Sequence, residues 1–172
     1  RKKLIIMNNN KFNVRLSWSF YDWANSAWSA IIITFIFARY FVDVLAPNQN
    51  IGTLYWTWTI GFSSLVAALL SPFIGSISDK SQRSKLWLIF TTLIYSVIAF
   101  SFWFAEPNVL SLALIIILIF IGNVSYEISQ IFYNGQLKLI TTKNNYAKLS
   151  GFAWGLGYVG TVTIFLIYYG MF

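Results

Sequence analysis

The sequence predicts an all-α, polytopic membrane helical bundle. Three observations predict it. Hydrophobic residues make up 58% of the 172-residue chain and charged residues only 10%, where a water-soluble domain carries about 25% charged residues. Five stretches are long and apolar enough to cross a bilayer as helices rising ~1.5 Å per residue. Eleven of the 12 Lys and Arg residues lie on one side of these stretches, the asymmetry that orients membrane helices.

The elements follow in order. Residues 1–16 form a basic leading segment. Span one covers approximately Ser17–Leu45, more than a bilayer needs, so its ends should tilt or project. Pro47-Asn48-Gln49-Asn50 interrupts it before span two, Leu54–Gly75. The charged connector Ser78–Lys85 leads into span three, Leu86–Phe104, the least polar of the five apart from scattered Ser and Thr. Glu106-Pro107-Asn108 precedes span four, Val109–Tyr133, and the polar connector Asn134–Lys148 precedes span five, Ser150–Met171. Span five contains Gly151, Gly155, Gly157 and Gly160. Gly151-x-x-x-Gly155 predicts a small-residue ridge for close helix contact, and Ser64, Ala68, Ser71 and Gly75 predict another on span two.

Orientation comes from the basic residues. Arg1, Lys2, Lys3, Lys11 and Arg15 precede span one. Lys80, Arg83 and Lys85 separate spans two and three, and Lys138, Lys143 and Lys148 separate spans four and five. The exception is Arg39, near the far end of span one, where it can snorkel. The positive-inside rule puts the N-terminus in the cytoplasm, in a bacterial cytoplasmic membrane. A cleaved signal peptide is not expected, because the first apolar span is too long and lacks a small-residue cleavage pattern. The chain stops at Phe172 directly after span five, which reads as part of a longer protein.

Composition also excludes chemistry. His and Cys are absent, which removes imidazole and thiol catalysis, disulfides and nearly all zinc and iron–sulfur sites. No catalytic set, cofactor or metal site is expected, and a membrane-embedded enzyme is a poor reading. The net charge of +7 is explained by topology, so nucleic acid is not an expected partner; the lipid bilayer is.

Two polar stripes carry the functional signal. Arg15, Ser19, Asp22, Asn25, Ser26 and Ser29 recur on one face of span one, and Asn123, Glu127, Gln130 and Asn134 on one face of span four. Their i, i+3, i+4, i+7 spacing stacks side chains along a helix. Hydrocarbon penalises such groups by several kcal/mol unless they face protein or water, so they point to a polar interior, and intramembrane acids mark solute and proton paths. Asp22, Asn25, Ser26, Asn123, Glu127 and Gln130 are therefore candidate contacts for a small polar solute, with protons a candidate coupling ion. Each acid also has a structural reading. Asp22 could pair with Arg15 or cap backbone groups, and Glu127 could bond across to Asn25 or Ser26.

The connector Gly75-Ser-Ile-Ser-Asp79-Lys80-Ser-Gln82-Arg83-Ser-Lys85 resembles the cytoplasmic loop between helices two and three of the major facilitator superfamily. Gly75, Asp79, Lys80 and Arg83 match its pattern, and Gln82 replaces its second Gly. The resemblance implies that these four residues form a conformational gate; the bland alternative is a solvated loop that only sets topology. Ser17-Trp18-Ser19-Phe20-Tyr21-Asp22-Trp23-Ala24-Asn25-Ser26-Ala27 resembles the opening helix of that superfamily's Atg22-like (UMF1) branch. Phe132-Tyr133-Asn134-Gly135-Gln136-Leu137 and Leu149-Ser150-Gly151-Phe152-Ala153-Trp154-Gly155-Leu156-Gly157-Tyr158-Val159-Gly160 are similar to its helix four–five region.

The resemblance implies a twelve-helix carrier in two halves, with this chain supplying helices one to five of the N-terminal half and the missing C-terminal helices as partners. It implies alternating access around a cavity lined by helices one and four, with helix three outside. Fungal members are implicated in exporting amino acids from the vacuole, which makes amino acids candidate solutes. Leu156 stands where the superfamily's antiporter motif has Pro, so antiport is not inferred. The rival is a non-transporting membrane scaffold, or a truncated piece of a transporter without activity.

Overall fold

The computed structural model describes the backbone of residues 2–80, 83–107 and 109–171, and the side chains of residues 12–76, 83–107 and 109–170. Every regular element among them is helical. Helix α1 (Lys2–Ala27) continues as a π-helix (Trp28–Phe35), a short α2 (Ile36–Tyr40) and a second π-helical stretch (Phe41–Leu45). Then come α3 (Gln49–Lys80), α4 (Ser84–Ser101) with a 3₁₀ extension (Phe102–Phe104), α5 (Leu112–Ile140) and α6 (Tyr146–Met171). Five helical stretches are long and apolar enough to cross a membrane: Phe12–Leu45, Gln49–Ser76, Ser84–Phe104, Leu112–Ile140 and Lys143–Gly170. The protein is an all-α integral membrane protein.

Local chemistry explains the breaks. Asn48 caps α3 by accepting the Ile51 N–H on its side-chain oxygen at 2.9 Å, and Ser111 does the same for Leu114 at the start of α5 at 3.3 Å; such caps satisfy donors that a helix start leaves unpaired. The turn into α3 is tight. A Cβ at Gly52 would lie 2.8 Å from the Ala46 Cβ, so only glycine fits. Pro72 sits inside α3 and lacks the N–H that would bond the Ala68 carbonyl four residues back. The Ser71 hydroxyl donates to that carbonyl instead, at 2.9 Å, which keeps the acceptor satisfied in hydrocarbon.

The chain divides into two compact units. One comprises Arg1–Ala30 and Leu137–Phe172, the other Ile31–Gln136. In the first, α1 pairs with α6. Their contact runs through Gly157 and Gly160, both buried. A Cβ at Gly160 would collide with the Trp23 carbonyl oxygen and lie 2.7 Å from the Ser26 Oγ, and one at Gly157 would lie 3.5 Å from the Asp22 Oδ2. Gly151 and Gly155 are exposed with nothing near their Cβ positions. The expected Gly151-x-x-x-Gly155 ridge is therefore not the contact with α1; Gly157 and Gly160, two and five residues past Gly155, make it.

In the second unit an aromatic cluster closes one end. Phe37 stacks on Phe102 with ring centroids 4.2 Å apart, and Phe41 tilts against Trp56 at 5.3 Å. The Tyr40 hydroxyl donates to the Ala105 carbonyl at 2.8 Å. Helix α4 buries one stripe, Ser84, Leu88, Thr91, Tyr95 and Ile98, and exposes Phe90, Leu93, Val97 and Phe100. A surface that apolar is suited to lipid.

Candidate functional site

Helix α5 places Asn123 and Glu127 one turn apart, so both side chains leave the same face. That face meets α3 at Ser63 and Ser64. The Asn123 amide is buried and donates from Nδ2 to the Ser63 Oγ at 2.9 Å and to the Ser64 Oγ at 3.3 Å. The Ser64 hydroxyl in turn donates to the Glu127 carboxylate. Ser63 turns its own hydrogen back to the Ile60 carbonyl at 2.9 Å. The result is a directional chain, Asn123 to Ser64 to Glu127, in which each donor polarises the next. It ends on a carboxylate, the strongest acceptor a side chain offers.

Gln130, one turn past Glu127, has its Nε2 buried without a hydrogen-bond partner among the described residues. Asn134, the last member of the stripe, is exposed. Ser63 and Ser64 were not expected to belong to this site. Ser64 reads from sequence as a small packing residue, and the usable signal was an adjacent serine pair in the middle of an apolar helix. Ser71, from the same stripe, is the hydroxyl that satisfies the carbonyl left by Pro72.

The other stripe lies in the first unit. The Asp22 and Ser26 face of α1 meets the Gly157 and Gly160 face of α6. Ser26 donates to the Trp23 carbonyl at 2.7 Å and Ser19 to the Arg15 carbonyl at 3.0 Å. These hydroxyls are satisfied within their own helix, which is how Ser is accommodated mid-helix. Asn25 is buried. Arg15 donates from Nε to the Ile140 carbonyl at 3.1 Å. Ser29 falls in the π-helical stretch, where the wider turn carries it off the regular α-helical stripe.

Of the expected gate residues, Gly75 is half-buried, and nothing described lies within 4 Å of its Cβ position. Asp79 and Lys80 end α3, and their side chains lie outside the described residues, as does Gln82. Arg83 precedes α4 and its carbonyl accepts the Leu86 and Trp87 N–H groups at 2.9 and 3.2 Å. At the opposite end, Arg39 forms an ion pair with Asp43, which also accepts from Gln49 at 3.1 Å. No group of three or more His, Cys, Asp or Glu side chains that could hold a metal occurs among the described residues.

Two comparisons with known proteins bear on this arrangement. An uncharacterized MFS-type transporter of Bacillus subtilis (strain 168), YxiO, is 26% identical over 155 residues. The alignment covers 88% of this chain and 36% of that protein, so the chain spans little more than a third of its relative's length. No solved structure matches the chain. The family described as "Vacuole effluxer Atg22 like" matches residues 40–148, more than half of the sequence and the part that holds Ser63, Ser64, Asn123 and Glu127. The chain belongs to the Atg22-like family.

Proposed function

We propose that the chain is part of a secondary transporter that moves a small polar solute across a membrane by alternating access. The observation that carries this reading is the Asn123–Ser64–Glu127 hydrogen-bond chain inside two membrane-crossing helices. A carboxylate and an amide in hydrocarbon cost several kcal/mol, and such groups persist where a protein uses them. Asp22, Asn25, Ser26, Asn123, Glu127 and Gln130 are the residues assigned to the solute. The solute class is small and polar, with amino acids the candidate that the resemblance to the fungal members implies.

Glu127 is the residue assigned to proton coupling, since its carboxyl is the titratable group of the α5 stripe and its bond from Ser64 can be given up on rearrangement. Gly75, Asp79, Lys80 and Arg83 are assigned to a gate at the α3–α4 connection, which biases one of the two access states. The basic connectors face the cytoplasm of a bacterial cell, and the remainder of the carrier supplies further helices.

The test is Glu127→Gln in the whole carrier, reconstituted in proteoliposomes. Gln keeps the shape and a hydrogen-bonding oxygen but does not titrate. The mutant should exchange solute across the membrane and lose accumulation driven by a pH gradient. A fall in affinity with pH dependence intact would assign Glu127 to solute alone. Loss of thermal stability without a selective transport defect would leave it a structural residue. Wild-type accumulation and stability together would remove it from the mechanism.

A further inference from the structure

The α1–α6 pair encloses a cleft of about 380 Å³ between the middle of α1 and the start of α6. Two cations line it from different helices, Arg15 on α1 and Lys148 on α6. Arg15 spends one of its five N–H donors on the Ile140 carbonyl. That bond holds the guanidinium at the cleft. Thr141 also lines the cleft. The walls are apolar: Phe12 and Leu16 from α1, Leu149 and Phe152 from α6.

Charge identifies the ligand. The segments 1–30 and 137–172 carry Arg1, Lys2, Lys3, Lys11, Arg15, Lys138, Lys143 and Lys148 against a single acid, Asp22. Asp22 lies seven residues from Arg15, ~10 Å along the helix, and no carboxylate among the described residues lines the cleft. Topology requires only that cations sit on one side of the membrane. It does not require two of them, on different helices, to converge on one cleft with apolar walls. The four apolar wall residues suit a ligand with an acyl region, and a free anion would have no use for them. The cleft also lies at the starts of two stretches long and apolar enough to span a membrane, Phe12–Leu45 and Lys143–Gly170, and basic pockets between helices near a membrane surface hold anionic headgroups.

We propose that this cleft binds the phosphate of an anionic phospholipid. Arg15 and Lys148 hold the phosphate oxygens, and the Phe and Leu walls receive the first part of the acyl chains. The inference is independent of the transport reading, because it needs only unit one and a lipid.

Native mass spectrometry tests it on the purified chain in micelles doped with phosphatidylglycerol or phosphatidylcholine. Lys148→Gln should weaken phosphatidylglycerol binding about five- to tenfold, the loss expected for one basic contact near a membrane surface. Lys148→Arg should restore it. Lys143→Gln makes the same charge change outside the cleft, where no direct contact is lost and the remaining charge is screened, and should alter binding less than about twofold. Phosphatidylcholine carries the same phosphate beside a compensating ammonium and should bind the wild type more weakly than phosphatidylglycerol; equal binding of the two would overturn the anionic assignment. Equal losses for Lys143→Gln and Lys148→Gln would mean diffuse surface charge and overturn the site. No loss in Lys148→Gln would overturn it too. Displacement of phosphatidylglycerol by millimolar inorganic phosphate would show a site for a soluble anion and overturn the lipid assignment.

Discussion

Replacing Gly160 by Ala tests how α1 and α6 are held together. The new Cβ would collide with the Trp23 carbonyl oxygen and lie 3.1 Å from its carbonyl carbon. Neither atom can rotate away, because both belong to the helix backbone, and the Ser26 hydroxyl is bonded to that carbonyl at 2.7 Å. The two helices must therefore separate. Overpacking of this kind costs roughly 1–3 kcal/mol, and a rigid backbone target places it at about 2–3 kcal/mol within that range. Ala in place of a mid-helix Gly returns about 1 kcal/mol of intrinsic helix preference, leaving a net loss of ~1–2 kcal/mol.

Two other glycines calibrate the measurement. At Gly157 the Cβ would lie 3.5 Å from the Asp22 Oδ2, an ordinary contact, so Gly157→Ala should be close to neutral. At Gly155 it would meet nothing within 4 Å, so Gly155→Ala should be neutral or stabilising. Unfolding of the purified protein in mixed micelles by titrated SDS, followed by tryptophan fluorescence, measures all three. The midpoints should fall only for Gly160→Ala. Equal stability of Gly160→Ala and Gly155→Ala would refute the packing argument. A loss confined to Gly155→Ala would restore the Gly151-x-x-x-Gly155 ridge as the true contact.

Three further outcomes are expected. The chain has no Cys, so single cysteines report topology cleanly: a membrane-impermeant reagent should label Asn48→Cys from outside and not Ser81→Cys, and the opposite pattern would reverse the orientation. A double-mutant cycle between Asn123→Ala and Ser63→Ala should give a coupling of ~0.6 kcal/mol and at most ~1.7 kcal/mol, the range for hydrogen bonds between membrane helices; no measurable coupling would mean the 2.9 Å bond does not hold α3 to α5. Asp79→Asn should leave membrane insertion intact and slow transport by the whole carrier, and unchanged rates would leave the α3–α4 connection a purely topological role.

Much of the fold was legible in the sequence because crossing a bilayer is a local property. Whether 20 residues can lie in hydrocarbon depends on their own transfer free energies, so span number and the segregation of basic residues follow from composition in a window. Helical spacing likewise put Asn123, Glu127 and Gln130 on one face before any partner was known. The partners were a different matter. Span five offers four glycines within ten residues, and any pair could form a close contact. Gly157 and Gly160 make it because the backbone of Trp23 and the side chains of Asp22 and Ser26 approach there, at positions more than 130 residues away in sequence. Ser64 and Ser71 belong to one small-residue stripe by spacing, yet Ser64 links Asn123 to Glu127 and Ser71 satisfies the Ala68 carbonyl beside Pro72. Burial is set residue by residue along the chain, whereas a hydroxyl's role and a glycine's neighbour are properties of pairs, and only the packed helices bring the second member of each pair into reach.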